Sequence, residues 1–141
     1  MKKLSHVVLI DDDDINNYVN QVLILQLAIS ERITLSSNGY EAIQNLHQLN
    51  QCPPLIFLDI NMPSMDGFEF LEAFKTLHLP GQKEVVVVVL TTSKNPLDIN
   101  RINRLGTFEY INKPLTEEKL IPILQKYFPK VAETITGNHI Q

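Results

Sequence analysis

Three short apolar runs, each stopped by an oxygen-bearing side chain, constrain this chain more than any other feature. His6 to Ile10 (HVVLI) halts at Asp11, Leu55 to Leu58 (LIFL) at Asp59, and Val85 to Leu90 (VVVVVL) at Thr91. Runs of this length read as strands, and the five consecutive valines favour strand and mark burial on both faces. A sheet that is apolar on both faces needs a covering layer on each side.

The segments between the runs supply those layers. After the acids, Ile15, Tyr18, Val19, Val22 and Leu23 recur at helical spacing, which predicts a first helix to about Ala28 with Asp14 as its cap. Ile33 to Ser36 fits a short second strand, and Asn38-Gly39 turns into a helix carrying Ala42, Ile43, Leu46 and Leu49 before Pro53-Pro54. Phe70, Leu71, Phe74 and Leu77 give a third helical face, and Leu79 to Gln82 a loop. Pro96 to Leu105 reads as a helix ended by Gly106, and Phe108 to Ile111 as the fifth strand. Thr116 to Lys119 opens a last helix with Leu120, Ile123, Leu124 and Tyr127 on its face. Five strands alternating with five helices require right-handed crossovers. The expected fold is a doubly wound α/β, flavodoxin-like sheet of order 2-1-3-4-5 over residues 1–128. Residues 129–141 lack a convincing apolar period and are expected to form a tail that can fray.

Composition narrows the function. A net charge of −4 with no Lys/Arg run leaves no basic stripe for nucleic-acid phosphates, so no direct nucleic-acid partner is expected. No segment approaches the roughly 20 apolar residues of a membrane helix. The N-terminal apolar stretch is too short for a signal peptide and runs into four acids, so the chain is expected to be cytoplasmic. The single Cys52 has no internal disulfide partner. His6, His47, His78 and His139 have no metal-ligand spacing.

In doubly wound sheets the ligand site lies beyond the carboxyl ends of the strands. Those ends carry Asp11 to Asp14, Asp59, Thr91 to Ser93, and Asn112-Lys113. Asp11, Asp12 and Asp59 should therefore converge, and three carboxylates in one pocket call for a hard divalent cation. Mg2+ suits them; the contiguous acids lack the alternation of a calcium loop. Asp13 is read chiefly as solvated charge. Beside Mg2+, a strand-end aspartate can attack phosphorus to form an acyl phosphate, and Asp59 is the chosen nucleophile. Lys113 offers a mobile point charge, first for Asp59 and then for a phosphate oxygen, and Thr91 offers a hydroxyl donor.

Taken alone, four aspartates before a helix are more often a solvated helix entry than a metal site. The other strand ends reverse that reading. VVLIDDDD, LDINMPSMDGFEFL, VVVLTTS and EYINKPL, in this order from about Val7 to Tyr127, resemble the receiver domain of two-component response regulators. The resemblance is to the single-domain, chemotaxis-regulator-like type. It implies an acidic pair at Asp11 and Asp12, phosphoacceptor Asp59, switch hydroxyl Thr91, lysine Lys113 and switch aromatic Tyr110. It implies also that Asn61 offers its backbone carbonyl to Mg2+, that Gly67 permits an unusual backbone turn, and that Lys113-Pro114 is cis.

The implied function is a stand-alone switch that takes phosphate from a histidine kinase or histidine phosphotransfer protein. Output would pass to a downstream protein through the face of the fourth helix, fifth strand and fifth helix, or by relay of the phosphate. Thr92 and Thr107-Phe108 depart from the smaller residues usual in the family, and Asn61 and Ser93 occupy positions that tune hydrolysis there. Asn95, Asp98, Arg101 and Arg104 form either a partner-facing helix surface or a solvated one. The competing readings are a receiver-like module that is never phosphorylated and an aspartate-nucleophile phosphohydrolase. The second is disfavoured because Asp59-Ile60-Asn61 has no second acid two residues on. Catalysis beyond the protein's own phosphorylation and dephosphorylation is not expected.

Overall fold

The computed structural model of the chain describes residues 3–92, 96–105 and 109–139. Its elements run β1 (Val7–Ile10), α1 (Asp14–Leu27), β2 (Ile33–Ser36), α2 (Gly39–His47), β3 (Leu55–Asp59), α3 (Gly67–Phe74), β4 (Val86–Thr91), α4 (Pro96–Leu105), β5 (Glu109–Asn112), α5 (Glu117–Tyr127) and α6 (Pro129–His139). A 3-10 turn at Gln82–Glu84 leads into β4. The five strands form one sheet in the order β2-β1-β3-β4-β5, with every neighbouring pair parallel. The doubly wound fold expected from the strand runs is therefore present.

Alternation along the central strands divides the core between the two faces. Val7, Leu9, Leu55, Phe57 and Val88 pack with Ile24 of α1 and Leu120 and Leu124 of α5. Val8, Ile10, Ile56, Leu58 and Val87 turn the other way, onto α2 and α3 through Leu46, Phe70, Leu71 and Phe74. Because β1 and β3 pair with Ile10 opposite Leu58, the residues that follow, Asp11 and Asp59, emerge side by side.

Three features depart from the sequence reading. In α1, Ile15, Tyr18, Val19 and Leu25 are exposed, whereas Asn17, Asn20 and Ile24 are buried. The apolar period thus starts on the outer face with Ile15, Tyr18 and Val19 and reaches the core only at Leu23, because the first turns of α1 lie over the strand ends, where backbone carbonyls need donors. The cap of α1 is Asp13, whose carboxylate accepts from the N–H groups of Ile15 and Asn16; Asp14 is a first-turn acid instead. Residues 129–139 form α6 rather than a tail, with Val131, Ala132 and Ile135 buried against the α1–α5 side of the core. That stripe is only one turn wide, which leaves little periodicity to read. Ser93, Asn95, Gly106, Thr107, Phe108 and the side chain of Asp98 lie outside the described residues.

Candidate functional site

Asp11 is held by its backbone before its side chain meets anything. Its N–H donates to Ser36 O over 3.1 Å, and its own carbonyl accepts from Asn17 Nδ2 at 3.0 Å. The same Asn17 amide donates to Ser36 O at 3.1 Å, so one buried side chain ties the ends of β1 and β2 together. The Asp11 carboxylate accepts the Asp13 N–H at 2.9 Å through one oxygen and the Lys113 ammonium at 3.0 Å through the other. Asp59 accepts the Asn61 N–H at 3.1 Å and forms an ion pair with Lys113 at 3.4 Å.

Asp11 and Asp59 are buried and Asp12 is exposed, yet one carboxylate oxygen from each lies within 4.8 Å of the others. The structure thus brings together the three acids that the strand ends predict. Burial pushes the Asp59 carboxyl up to about 6, and the neighbouring Asp11 charge acts in the same direction. The Asn61 N–H and the Lys113 ammonium oppose that rise without cancelling it. For Lys113, burial favours the neutral amine, but the bonds and charges of Asp11 and Asp59 outweigh it and raise its pKa.

Three acids facing one ammonium leave an excess of two negative charges in a space of atomic dimensions. Hard oxygen donors with that excess fit a divalent cation of the magnesium class. A cavity of about 630 Å3 opens elsewhere, at the amino ends of β1 and β2, where Ser5, His6, Arg32 and Gln51 are among its lining; no acid lines it. The acid cluster lies apart from it, at the carboxyl ends of β1 and β3.

The remaining site candidates surround that cluster. Thr91 is fully buried at the end of β4, opposite Asn112 in register, and its carbonyl accepts the Lys113 N–H at 2.9 Å. The Lys113-Pro114 bond is cis. Tyr110 is half-buried and packs against a small cluster of Ile60, Phe68, Val89 and Ile102. The exposed Arg101 of α4 lays its guanidinium 4.0 Å above the Phe68 ring, so α4 touches the first turn of α3.

Gly67 does not take a left-handed turn; in that loop the positive φ, 66°, belongs to Ser64. Gly67 is small for another reason. Its N–H donates to Ile60 O at 3.1 Å, and a Cβ there would stand 2.6 Å from Ile60 Cα. Asp66 starts α3 with a reciprocal capping box to Glu69.

Sequence reasoning missed two residues. Asn17 is hidden in a pattern dominated by exposed apolar side chains, and its signal was an amide one turn beyond the acids. Lys119 donates to Asn112 O at 2.8 Å and Pro114 O at 3.0 Å, the carbonyls on either side of Lys113. Its signal was a cation in the first turn of α5, where the helix dipole disfavours positive charge.

Residues 7–125 match the family model for the response regulator receiver domain. The chain is 32% identical over 126 residues to the "Probable C4-dicarboxylate response regulator DctR" of Priestia megaterium, covering 89% of this chain and 53% of that protein. It therefore spans about half the length of the DctR relatives it matches. The two-component response regulator ORR41 of Oryza sativa subsp. japonica is 28% identical, with 89% of this chain and 96% of that protein covered. Among solved structures, a two-component response regulator from Cytophaga hutchinsonii superposes with a TM-score of 0.77 at 32% identity, covering 90% of this chain and 98% of that one.

Proposed function

This chain belongs to the response regulator receiver domain family, and from that premise we propose that it is a phosphorylation switch with Asp59 as the phosphoacceptor. The observation that carries this reading is the buried Asp59 carboxylate at the end of β3, beside two further acids and within 3.4 Å of a lysine ammonium. In the transfer, a carboxylate oxygen of Asp59 attacks phosphorus as the bond from phosphorus to the donor breaks. The donor atom leaves with the electron pair, and the product is an acyl phosphate.

Asp11, Asp12, Asp59 and the Asn61 backbone carbonyl would hold Mg2+. When bound, the ion supplies positive charge for the phosphoryl oxygens. Asp59 is ready for attack when it is ionised, which its burial resists; Lys113 and the Asn61 N–H favour the charged form. Once the phosphoryl group is attached, Lys113 can follow the charge from carboxylate to phosphate oxygen, and the Thr91 hydroxyl can donate to another. Repacking of Tyr110 and of the Phe68–Arg101 contact would carry the change to the α4–β5–α5 face and so to a downstream protein.

The donor in this reading is a histidine kinase or histidine phosphotransfer protein. Ile15, Tyr18 and Val19 support a macromolecular donor, because they expose apolar surface on α1 next to the acids. No helix among the described residues is long and apolar enough to cross a membrane.

Incubation with acetyl phosphate and Mg2+, followed by intact mass spectrometry, tests the assignment. A single Mg2+-dependent phosphoryl adduct on the wild type and none on Asp59→Asn is expected. An adduct of equal yield on both proteins would remove Asp59 from the mechanism.

A further inference from the structure

Lys113 can serve two carboxylates only if the chain that carries it stays in place. Its own N–H is fixed to Thr91 O. Its two flanking carbonyls, Asn112 O and Pro114 O, both accept from one side chain, that of Lys119. Lys119 is itself anchored at the start of α5, where its N–H meets Thr116 Oγ1 at 3.3 Å and Thr116 O at 3.2 Å. The ammonium therefore bridges from the first turn of α5 back across the loop to the end of β5.

This placement is chemically specific. A cation in the first helical turn works against the helix dipole. Glu117 and Glu118 stand beside it in sequence, yet neighbours one and two residues away do not face each other on a helix. Lys119 pairs with no carboxylate among the described residues and spends two of its three donors on the carbonyls that bracket Lys113. We propose that Lys119 is a positioning residue, which holds the 112–114 backbone so that the Lys113 ammonium stays aimed between Asp11 and Asp59. It would also make the start of α5 a rigid extension of the site, so that a shift in Lys113 is felt by the helix directly.

The functional half of this inference rests on Asp59 as the phosphoacceptor; the positional half does not. The test compares the wild-type chain, Lys119→Met and Lys119→Arg. Hydrogen exchange of the Lys113 amide should speed up about tenfold in Lys119→Met, as expected for loss of a charge-assisted hydrogen bond, with the Val88 amide of β4 unchanged. Lys119→Arg, which keeps charge and donors, should recover most of the protection. With acetyl phosphate and saturating Mg2+, the maximal labelling rate of Lys119→Met should fall about three- to tenfold, with the half-saturating donor concentration and Mg2+ affinity unchanged.

Unchanged exchange at Lys113 in Lys119→Met overturns the proposal whatever the labelling rate. Equal acceleration at Val88 overturns it too, because the residue would then support the fold at large. Faster local exchange with an unchanged maximal rate likewise overturns it. A wild type that takes no phosphoryl group sinks the reading of Asp59 instead, and the exchange comparison alone then decides the role of Lys119.

Discussion

The Lys113 ammonium donates to the Asp11 carboxylate over 3.0 Å, a shorter approach than the 3.4 Å that separates it from Asp59. The sequence leads one to expect Lys113 to pair first with Asp59; in the structure it is shared, and leans toward Asp11, the acid that follows β1. It therefore neutralises part of the repulsion between Asp11 and Asp59 while leaving Asp59 less tightly engaged.

Removing that shared cation should be costly where no other cation can replace it. Lys113→Met leaves two buried carboxylates facing each other and is expected to lose about 1–3 kcal/mol of stability in chelator. Millimolar Mg2+ should restore a large part of the loss through binding to the native state. Urea unfolding with and without Mg2+ checks this; an equal loss in both conditions would disprove the compensation.

Asp59 sets a pH dependence of definite sign. Its folded pKa, about 6, lies above the ordinary carboxylate value, so between about pH 4 and 6 the native chain binds protons that the unfolded chain has released. The contribution of Asp59 to stability is full below that window and is lost as pH rises through it. Asp59→Asn removes the loss and should be more stable than the wild type by about 1–2 kcal/mol near neutral pH in chelator, after allowing for the lost Lys113 contact. The difference should shrink toward pH 4. Paired denaturation curves across this range provide the measurement.

Asn17 should act on the proposed Mg2+ site without touching the ion. Asn17→Ala strips two buried carbonyls, Asp11 O and Ser36 O, of a donor, at a cost of about 1–3 kcal/mol. With Asp11 less firmly placed, Mg2+ affinity should fall several-fold. The chain has no tryptophan to report binding by fluorescence, so calorimetric titration is the suitable measurement.

Gly67→Ala should destabilise through contact alone. The added methyl meets Ile60 Cα, a backbone atom that cannot rotate away, and the expected cost is about 1–3 kcal/mol. Thermal unfolding checks it. A neutral substitution would mean that the loop between Ile60 and Gly67 moves freely.

Much of this architecture was legible in the chain because the strands are apolar on both faces. Runs such as LIFL and VVVVVL admit few other readings, and each stops at the residue that enters the site. Helix α1 was legible in extent but not in orientation. Asn17 and Asn20 face inward while Ile15, Tyr18 and Val19 face solvent, and periodicity marks a stripe without saying what covers it. Helix α6 escaped because a buried stripe of Val131, Ala132 and Ile135 is too narrow to stand out. The three acids could be placed by topology, since strand order makes Asp11 and Asp59 neighbours. The sharing of Lys113 between them depends on its reach across the sheet, which spacing along the chain does not encode.

The hydrogen bond from Lys113 N–H to Thr91 O has a geometric corollary. The ammonium and the hydroxyl assigned to a phosphoryl group are mounted on adjacent strands, whose separation is the interstrand spacing of about 4.8 Å. That spacing acts as a fixed calliper. Neither mount can slide without breaking the bond that joins them, so the jaws adjust only by side-chain rotation. An anion gripped by both would therefore be met by the long Lys113 side chain swinging from a mount that does not move.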